Sequence, residues 1–242
     1  FTFTGALTSA TLDNETVYSN QPIIVNAGSK LTFNAPANGA RIYLAVHGGF
    51  KSKKRRLQKN DVLLTAQNFN YHFEGVGQLH ALTTGWTANT GEFYRSNTIR
   101  CIHGPNFNVL SKKEIEQLEN KRFEIDLQSN RMGFRLKSDP ICHTITPELL
   151  STAVTRGTLQ LTPAGQLIVL MADHQTTGGY PRIGTVISAD MASLAQMPIG
   201  SSFGIKWIDI QEAERLLLQQ ETNLQQLENA CKFRLQEYFS EK

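Results

Sequence analysis

The residues best suited to chemistry lie in one stretch, Leu167-Ile-Val-Leu-Met-Ala-Asp-His-Gln-Thr-Thr-Gly-Gly-Tyr-Pro-Arg182. An apolar run ends abruptly in Asp173, His174 and Gln175, and Thr176-Thr177-Gly178-Gly179-Tyr180-Pro181 follows. Asp173 could accept a proton from an amide or amine, and His174 or Tyr180 could act as acid, base or donor. Two adjacent glycines let a backbone turn through positive φ and present N–H groups to an anion or a carbonyl. Asp173, His174 and Tyr180 are therefore candidate catalytic residues, with Gln175, Thr176, Thr177, Gly178 and Gly179 as candidate substrate contacts. The same pattern also reads as a plain hairpin, with Thr-Thr-Gly-Gly as its turn and Asp173 satisfying backbone donors. Residue types alone leave both readings open.

A second candidate is Ser129-Asn130-Arg131-Met132-Gly133-Phe134-Arg135-Leu136. In a strand, Arg131, Gly133 and Arg135 would share one face, and the glycine would leave room between two guanidinium groups. That arrangement suits a carboxylate or phosphate, which arginine binds bidentately. The alternative is a pair of surface arginines on an edge strand. Cys101 and His103, with Cys142 and His143, can be written as a four-ligand zinc set. Their spacing matches no zinc knuckle, so buried thiols are the better reading and no metal is expected. Phosphate-loop, dinucleotide and zinc-protease motifs do not occur in the sequence.

These stretches must be positioned by short strands, because turn residues punctuate most of the chain at the spacing of a sandwich or barrel. Strands are expected over Gln21–Val25, Lys30–Phe33, Arg41–Val46, Val62–Leu64, Phe69–Phe73, Gly77–Leu82 and Thr98–Ile102. Further ones are expected over Phe123–Leu127, Phe134–Leu136, Thr158–Leu161, Leu167–Met171, Thr185–Ile187 and Phe203–Trp207. Ser111 followed by Glu114 is a capping box for a short helix over Ser111–Leu118. From Ile210, apolar residues recur at helical spacing (Ala213, Leu217, Leu224, Leu227, Cys231, Tyr238), which predicts a long amphipathic helix. Gln220 and Arg234 interrupt its stripe, so it either packs across its own barrel or pairs with a partner or a second copy. The reading is mainly β: one module over residues 1–104, a second over 105–208 carrying the Asp173 stretch, and the helix over 209–242.

The 242 residues are 40% hydrophobic and 19% charged, too apolar for a disordered chain. The longest strongly apolar run, Leu167–Ala172, falls far short of the roughly 20 residues of a membrane helix. Phe1–Ala10 alternates Phe and Thr, unlike a secretory leader. The net charge of +3 rests on one cluster, Lys51, Lys53, Lys54, Arg55 and Arg56, and the remainder is slightly acidic. A nucleic-acid binder would spread its charge over a face, so neither nucleic acid nor membrane is an expected partner. Three cysteines without C-x-x-C spacing point to a reducing compartment, the cytoplasm.

Taken together, the two candidate stretches resemble the family of allophanate hydrolase subunit two, also called the KipI antagonist (KipA). That family includes one of the subunits of bacterial 5-oxoprolinase and half of the urea carboxylase carboxyltransferase domain. Further landmarks are Ala10-Thr11-Leu12-Asp13, Gly39 to Phe50, Gly104-Pro105-Asn106-Phe107, Gly157 to Pro163 and Ile187-Ser188-Ala189-Asp190. Asn130, Phe134, His174 and Arg156 depart from the usual residues. Family stretches of the types Q-D-x-G-R, S-G-A-[MF]-D and L-G-S-R-S-T do not occur. The expectation is that the sequence omits segments before Phe1 and after Phe50, and that the basic cluster is partly a product of that junction.

The resemblance implies two cyclophilin-like β-barrel modules. It further implies a subunit, inactive alone, of a complex with KipI-like and LamB/YcsF-like proteins that opens 5-oxoproline to glutamate using ATP. Thr177–Gly179 and Arg131 would stabilise an oxyanion or phosphate, and Asp173 would orient the substrate nitrogen. Two alternatives remain. One is a binding protein that sequesters a KipI-like inhibitor of a histidine kinase. The other is a carboxyltransferase half acting on urea or a related amide, with carboxybiotin as donor.

Overall fold

A computed structural model describes residues 1–51, 56–66, 81–94, 96–141 and 149–240. The chain forms two compact units, Phe1–Thr90 with Gln226–Lys242, and Gly91–Gln225. The strand Thr98–His103 pairs with strands of the second unit. The expected strand Phe69–Phe73, most of Gly77–Leu82 and Lys53, Lys54 and Arg55 of the basic cluster lie outside the described residues.

Nine strands are described in the first unit: β1 (Thr2–Leu7), β2 (Ala10–Leu12), β3 (Glu15–Val17), β4 (Ile23–Val25), β5 (Leu31–Phe33), β6 (Asn38–Ala45), β7 (Phe50–Lys51), β8 (Leu64–Thr65) and β9 (Ala81–Thr83). Among the described residues they pair as four small sheets: β1 with β6, β3-β2-β5, β4 with β9, and β7 with β8. Asp13 and Asn14 join β2 to β3 at φ 49° and 75°. A two-residue hairpin needs positive φ at both positions, and Asp and Asn tolerate it best among residues with side chains. Phe3, Ala10, Leu12, Val17 and Ile23 form the core here, with Phe33 edge-on to Phe3 at 5.2 Å between ring centres.

The second unit holds β10 (Thr98–His103), β11 (Arg122–Ile125), β12 (Gly133–Lys137), β13 (Thr152–Ala153), β14 (Thr158–Leu161), β15 (Leu167–Leu170), β16 (Thr177–Gly178), β17 (Arg182–Val186) and β18 (Ser202–Trp207). Seven of these close a barrel in the order β10-β17-β14-β15-β12-β11-β18. Every pair in it is antiparallel except β10 with β18, which closes the ring. Strand alternation fills the interior with Ile99, Cys101, Phe123, Phe134, Leu159, Val169 and their neighbours. The mainly β expectation, with a barrel and a C-terminal helix, describes this chain.

Helix α1 (Lys112–Asn120) begins with the capping box read from the sequence: Ser111 Oγ accepts from Glu114 N, and the Glu114 carboxylate accepts from Ser111 N. A short α2 (Met191–Gln196) follows β17, and α3 spans Ile210–Ser240. No described residue of α3 is fully buried. Gln220, which looked like a break in its stripe, donates from Nε2 to the Ala189 carbonyl at 3.0 Å. The first half of α3 thus packs on its own barrel. Among the described residues, no helix is long and apolar enough to cross a membrane.

Gly104 ends β10 where the chain from Arg182 to Gly184 passes against it. Gly104 N donates to Ile183 O at 2.9 Å, and a Cβ would lie 2.7 Å from Gly184 N and closer still to Arg182 O. Backbone cannot move aside as a side chain can. Gly104→Ala is expected to destabilise the chain by about 2 kcal/mol, read as a lower urea midpoint at unchanged m-value.

Candidate functional site

The antiparallel pairing of β12 with β15 sets Gly133 opposite Leu170 and Arg135 opposite Ile168. The ladder continues past the strands, with Met171 N donating to Met132 O at 3.0 Å and Asp173 N to Arg131 O at 2.9 Å. The two chemistry-bearing stretches are therefore neighbours in one sheet. Phe134, Leu136, Leu167 and Val169 face the barrel core. Gly133, Arg135, Ile168 and Leu170 consequently face outward, as does Gln160 on β14, opposite Ile168.

On this outer face lies a cavity of about 210 Å³. Met132, Ile168 and Leu170 are its apolar lining, and Gly133 adds backbone. The amides of Gln128, Asn130, Gln160 and Gln175, the phenol of Tyr180 and the guanidinium of Arg135 supply its polar groups. The turn before β12 is built by short side chains. Asp126 Oδ1 accepts from Gln128 N at 2.7 Å, and Asn130 Oδ1 accepts from Met132 N at 2.8 Å. Ser129 Oγ accepts from Arg135 N at 3.0 Å and donates to Arg135 O at 3.3 Å, which fixes the backbone that carries the guanidinium.

Arg131 and Arg135 do not share a site. Arg131 precedes β12, where strand alternation does not apply, and its Nε lies 2.8 Å from Asp173 Oδ2. Its side chain is 76% exposed and that of Asp173 48%, so this pair sits in water and contributes little to stability. Among the described residues, Asp173 thus accepts from a guanidinium and from no backbone donor. His174 is half-buried, with Nδ1 bonded to the Gln175 carbonyl at 2.5 Å. Because a carbonyl only accepts, Nδ1 carries the proton. Of the residues singled out in the sequence, Arg135, Gln175 and Tyr180 line the cavity, while Arg131, Asp173, His174 and Thr176–Gly179 do not.

The glycine pair behaves differently from the expectation. Neither Gly178 nor Gly179 has positive φ. Thr177 and Gly178 form β16, paired with Ala153 and Thr152 of β13. Thr176 O accepts from Val154 N at 3.0 Å, and Gly179 O from Leu149 N at 3.3 Å. What glycine supplies is space: a Cβ on Gly178 would lie 2.5 Å from Gln160 Nε2 and displace that amide, and one on Gly179 would lie 3.1 Å from Leu149 O. Gln160 carried no signal in the sequence, since a polar residue between Leu159 and Leu161 is what any solvent-facing strand position shows.

Cys101 lies in the barrel core, where burial pushes its thiol far above the ordinary range and keeps it unreactive. His103 stacks on Phe107 at 3.6 Å between ring centres. Cys142 and His143 lie outside the described residues. Among the described residues, no group of three or more His, Cys, Asp or Glu is placed to hold a metal.

Residues 1–55 and 52–207 match the family described as carboxyltransferase domain, subdomain A and B. A 5-oxoprolinase subunit of Escherichia coli (strain K12) is 32% identical over 245 residues, covering 94% of this chain and 75% of that protein. Its namesake in Haemophilus influenzae is 30% identical over 246 residues, with the same coverage. Among solved structures, the K. lactis urea amidolyase aligns with a TM-score of 0.79 at 18% identity, over 93% of this chain and 15% of that one, a likeness of fold. With most of its length matched, the chain belongs to the family of the carboxyltransferase domain, subdomains A and B.

Proposed function

We propose that this chain is a subunit of a complex that opens 5-oxoproline to glutamate at the expense of ATP, with KipI-like and LamB/YcsF-like proteins as the other subunits. The single observation that carries this reading is its 32% identity to a bacterial 5-oxoprolinase subunit over nearly its whole length. The chemistry of the cavity supports it. 5-Oxoproline is a small ring bearing a carboxylate and a secondary amide. Arg135 would pair with the carboxylate, Met132, Ile168 and Leu170 would cover the ring methylenes, and side-chain amides with the Tyr180 hydroxyl would meet the lactam.

A lactam resists water, and ATP would supply activation of its carbonyl. The residues of this cavity do not fit ATP itself. About 210 Å³ lies below the roughly 300–1,000 Å³ of sites for drug-sized ligands, and one guanidinium is a sparse partner for a triphosphate. The same size argument keeps biotin out, so either group would be held by surfaces elsewhere in the complex.

The test is glutamate release from 5-oxoproline and ATP by the assembled proteins, with each subunit omitted in turn. Activity that needs all of them supports the reading. A stable complex with a KipI-like protein but no turnover overturns it. The family match also favours a second reading, carboxyl transfer from carboxybiotin to a small amide, which predicts incorporation of labelled bicarbonate in place of glutamate release.

Asp173 and Arg131 adjoin the cavity through Gln175 and Met132, and we assign them to holding this corner against the substrate. Asp173→Ala and Arg131→Ala are each expected to lower turnover about tenfold while changing stability by less than about 1 kcal/mol. Turnover equal to wild type in both variants would remove the pair from the site.

A further inference from the structure

Gln160 is 1% exposed and lines the cavity, yet its Nε2 has no hydrogen-bond partner among the described residues. Buried amide donors are almost always paired, so one held free demands a reason. Its neighbour across β15 is Ile168, which has no side-chain acceptor to offer. Gly178 adds a second observation. Its φ is not in the left-handed region, so the backbone does not demand glycine there. A Cβ at that position would nonetheless lie 2.5 Å from Nε2 and would push the Gln160 amide from its place. Glycine thus lets the Gln160 amide keep its place.

Resting on the reading of the cavity as a 5-oxoproline site, we propose that Gln160 determines specificity by donating from Nε2 to the ring carbonyl oxygen of the bound lactam. Proline lacks that carbonyl, and with it the neutral amide that the carbonyl makes of the ring nitrogen. Arg135 would hold the carboxylate that both share, so Gln160 and Gly178 together would read the difference.

The test uses the assembled complex carrying wild type, Gln160→Met or Gly178→Ala, with KM for 5-oxoproline and inhibition by proline as readouts. Methionine keeps the length of glutamine and removes the free donor, so that variant is expected to melt at or above the wild-type temperature. KM for 5-oxoproline is expected to rise about tenfold to a hundredfold, with inhibition by proline the same as in wild type. Gly178→Ala is expected to act in the same direction by pushing the Gln160 amide aside, and it carries the test should Gln160→Met not fold. An unchanged KM, or a parallel loss of proline inhibition, overturns the proposal while leaving the oxoprolinase reading intact. A wild-type complex that does not turn over 5-oxoproline overturns both, and that failure shows before any variant is made.

Discussion

Arg135→Leu is expected to lower kcat/KM for 5-oxoproline in the assembled complex by about a hundredfold or more, mainly through KM. Arg135 is the one cationic side chain among the residues lining the cavity, and the substrate's carboxylate is its one full charge. Ser129 grips the Arg135 backbone through both N–H and carbonyl, so the guanidinium starts from a fixed anchor and little ordering is needed on binding. Arg135→Lys is expected to recover only part of the loss, since an ammonium cannot make the paired, planar contact. Arg135 faces solvent, so its removal should change stability by no more than about 0.5 kcal/mol. Steady-state kinetics decide the matter: a KM equal to wild type in Arg135→Leu would place the carboxylate elsewhere.

Asp190→Ala is expected to destabilise the chain by about 3–5 kcal/mol, measured by chemical denaturation. Asp190 is 2% exposed and answers three donors of one residue. Its Oδ2 accepts from Arg100 N at 2.7 Å and from Arg100 Nε at 3.0 Å, and its Oδ1 from Nη2 at 2.5 Å. The hydrogen bond to Asp190 holds the Arg100 guanidinium above its ordinary pKa, against the opposing effect of its burial. Alanine would strand a backbone N–H and a partly buried cation together. Asp190→Asn, which keeps an acceptor and loses the charge, is expected to fall between. A loss below about 1 kcal/mol in the alanine variant would mean that water replaces the carboxylate freely.

Asp190 shows the limit of reading by landmark. Ile187-Ser188-Ala189-Asp190 stood out in the sequence, but its reason, a carboxylate answering Arg100 on β10, spans ninety positions and cannot be seen along the chain. Local signals fared better. Alternation found β14 at Thr158–Leu161 and β15 to within a residue, and the Ser111–Glu114 box found the start of α1. The six-residue α2 escaped because its length is too short for a helical period to register. β1 escaped too, because a register shift between Gly5 and Leu7 leaves Gly5 and Ala6 both buried and breaks the period of two.

At the site, the pairing of Asp173 with Arg131 follows from the register of β12 on β15, which no one-dimensional pattern encodes. The glycine pair was legible as special, and its purpose was not. Only the approach of Gln160 shows that Gly178 is there to make room and not to turn the chain.

The barrel also has an order of assembly written into its connectivity. Its closing strand, β18, seals β10 on one side and β11 on the other. Until Ser202–Trp207 is available, the other six barrel strands can form only an open sheet whose free edges are β10 and β11. Such edges template unwanted strand pairing. A nascent chain of this protein is therefore most exposed to edge pairing late in translation, and one cut just before Ser202 would carry the sheet under the cavity without the strand that closes it.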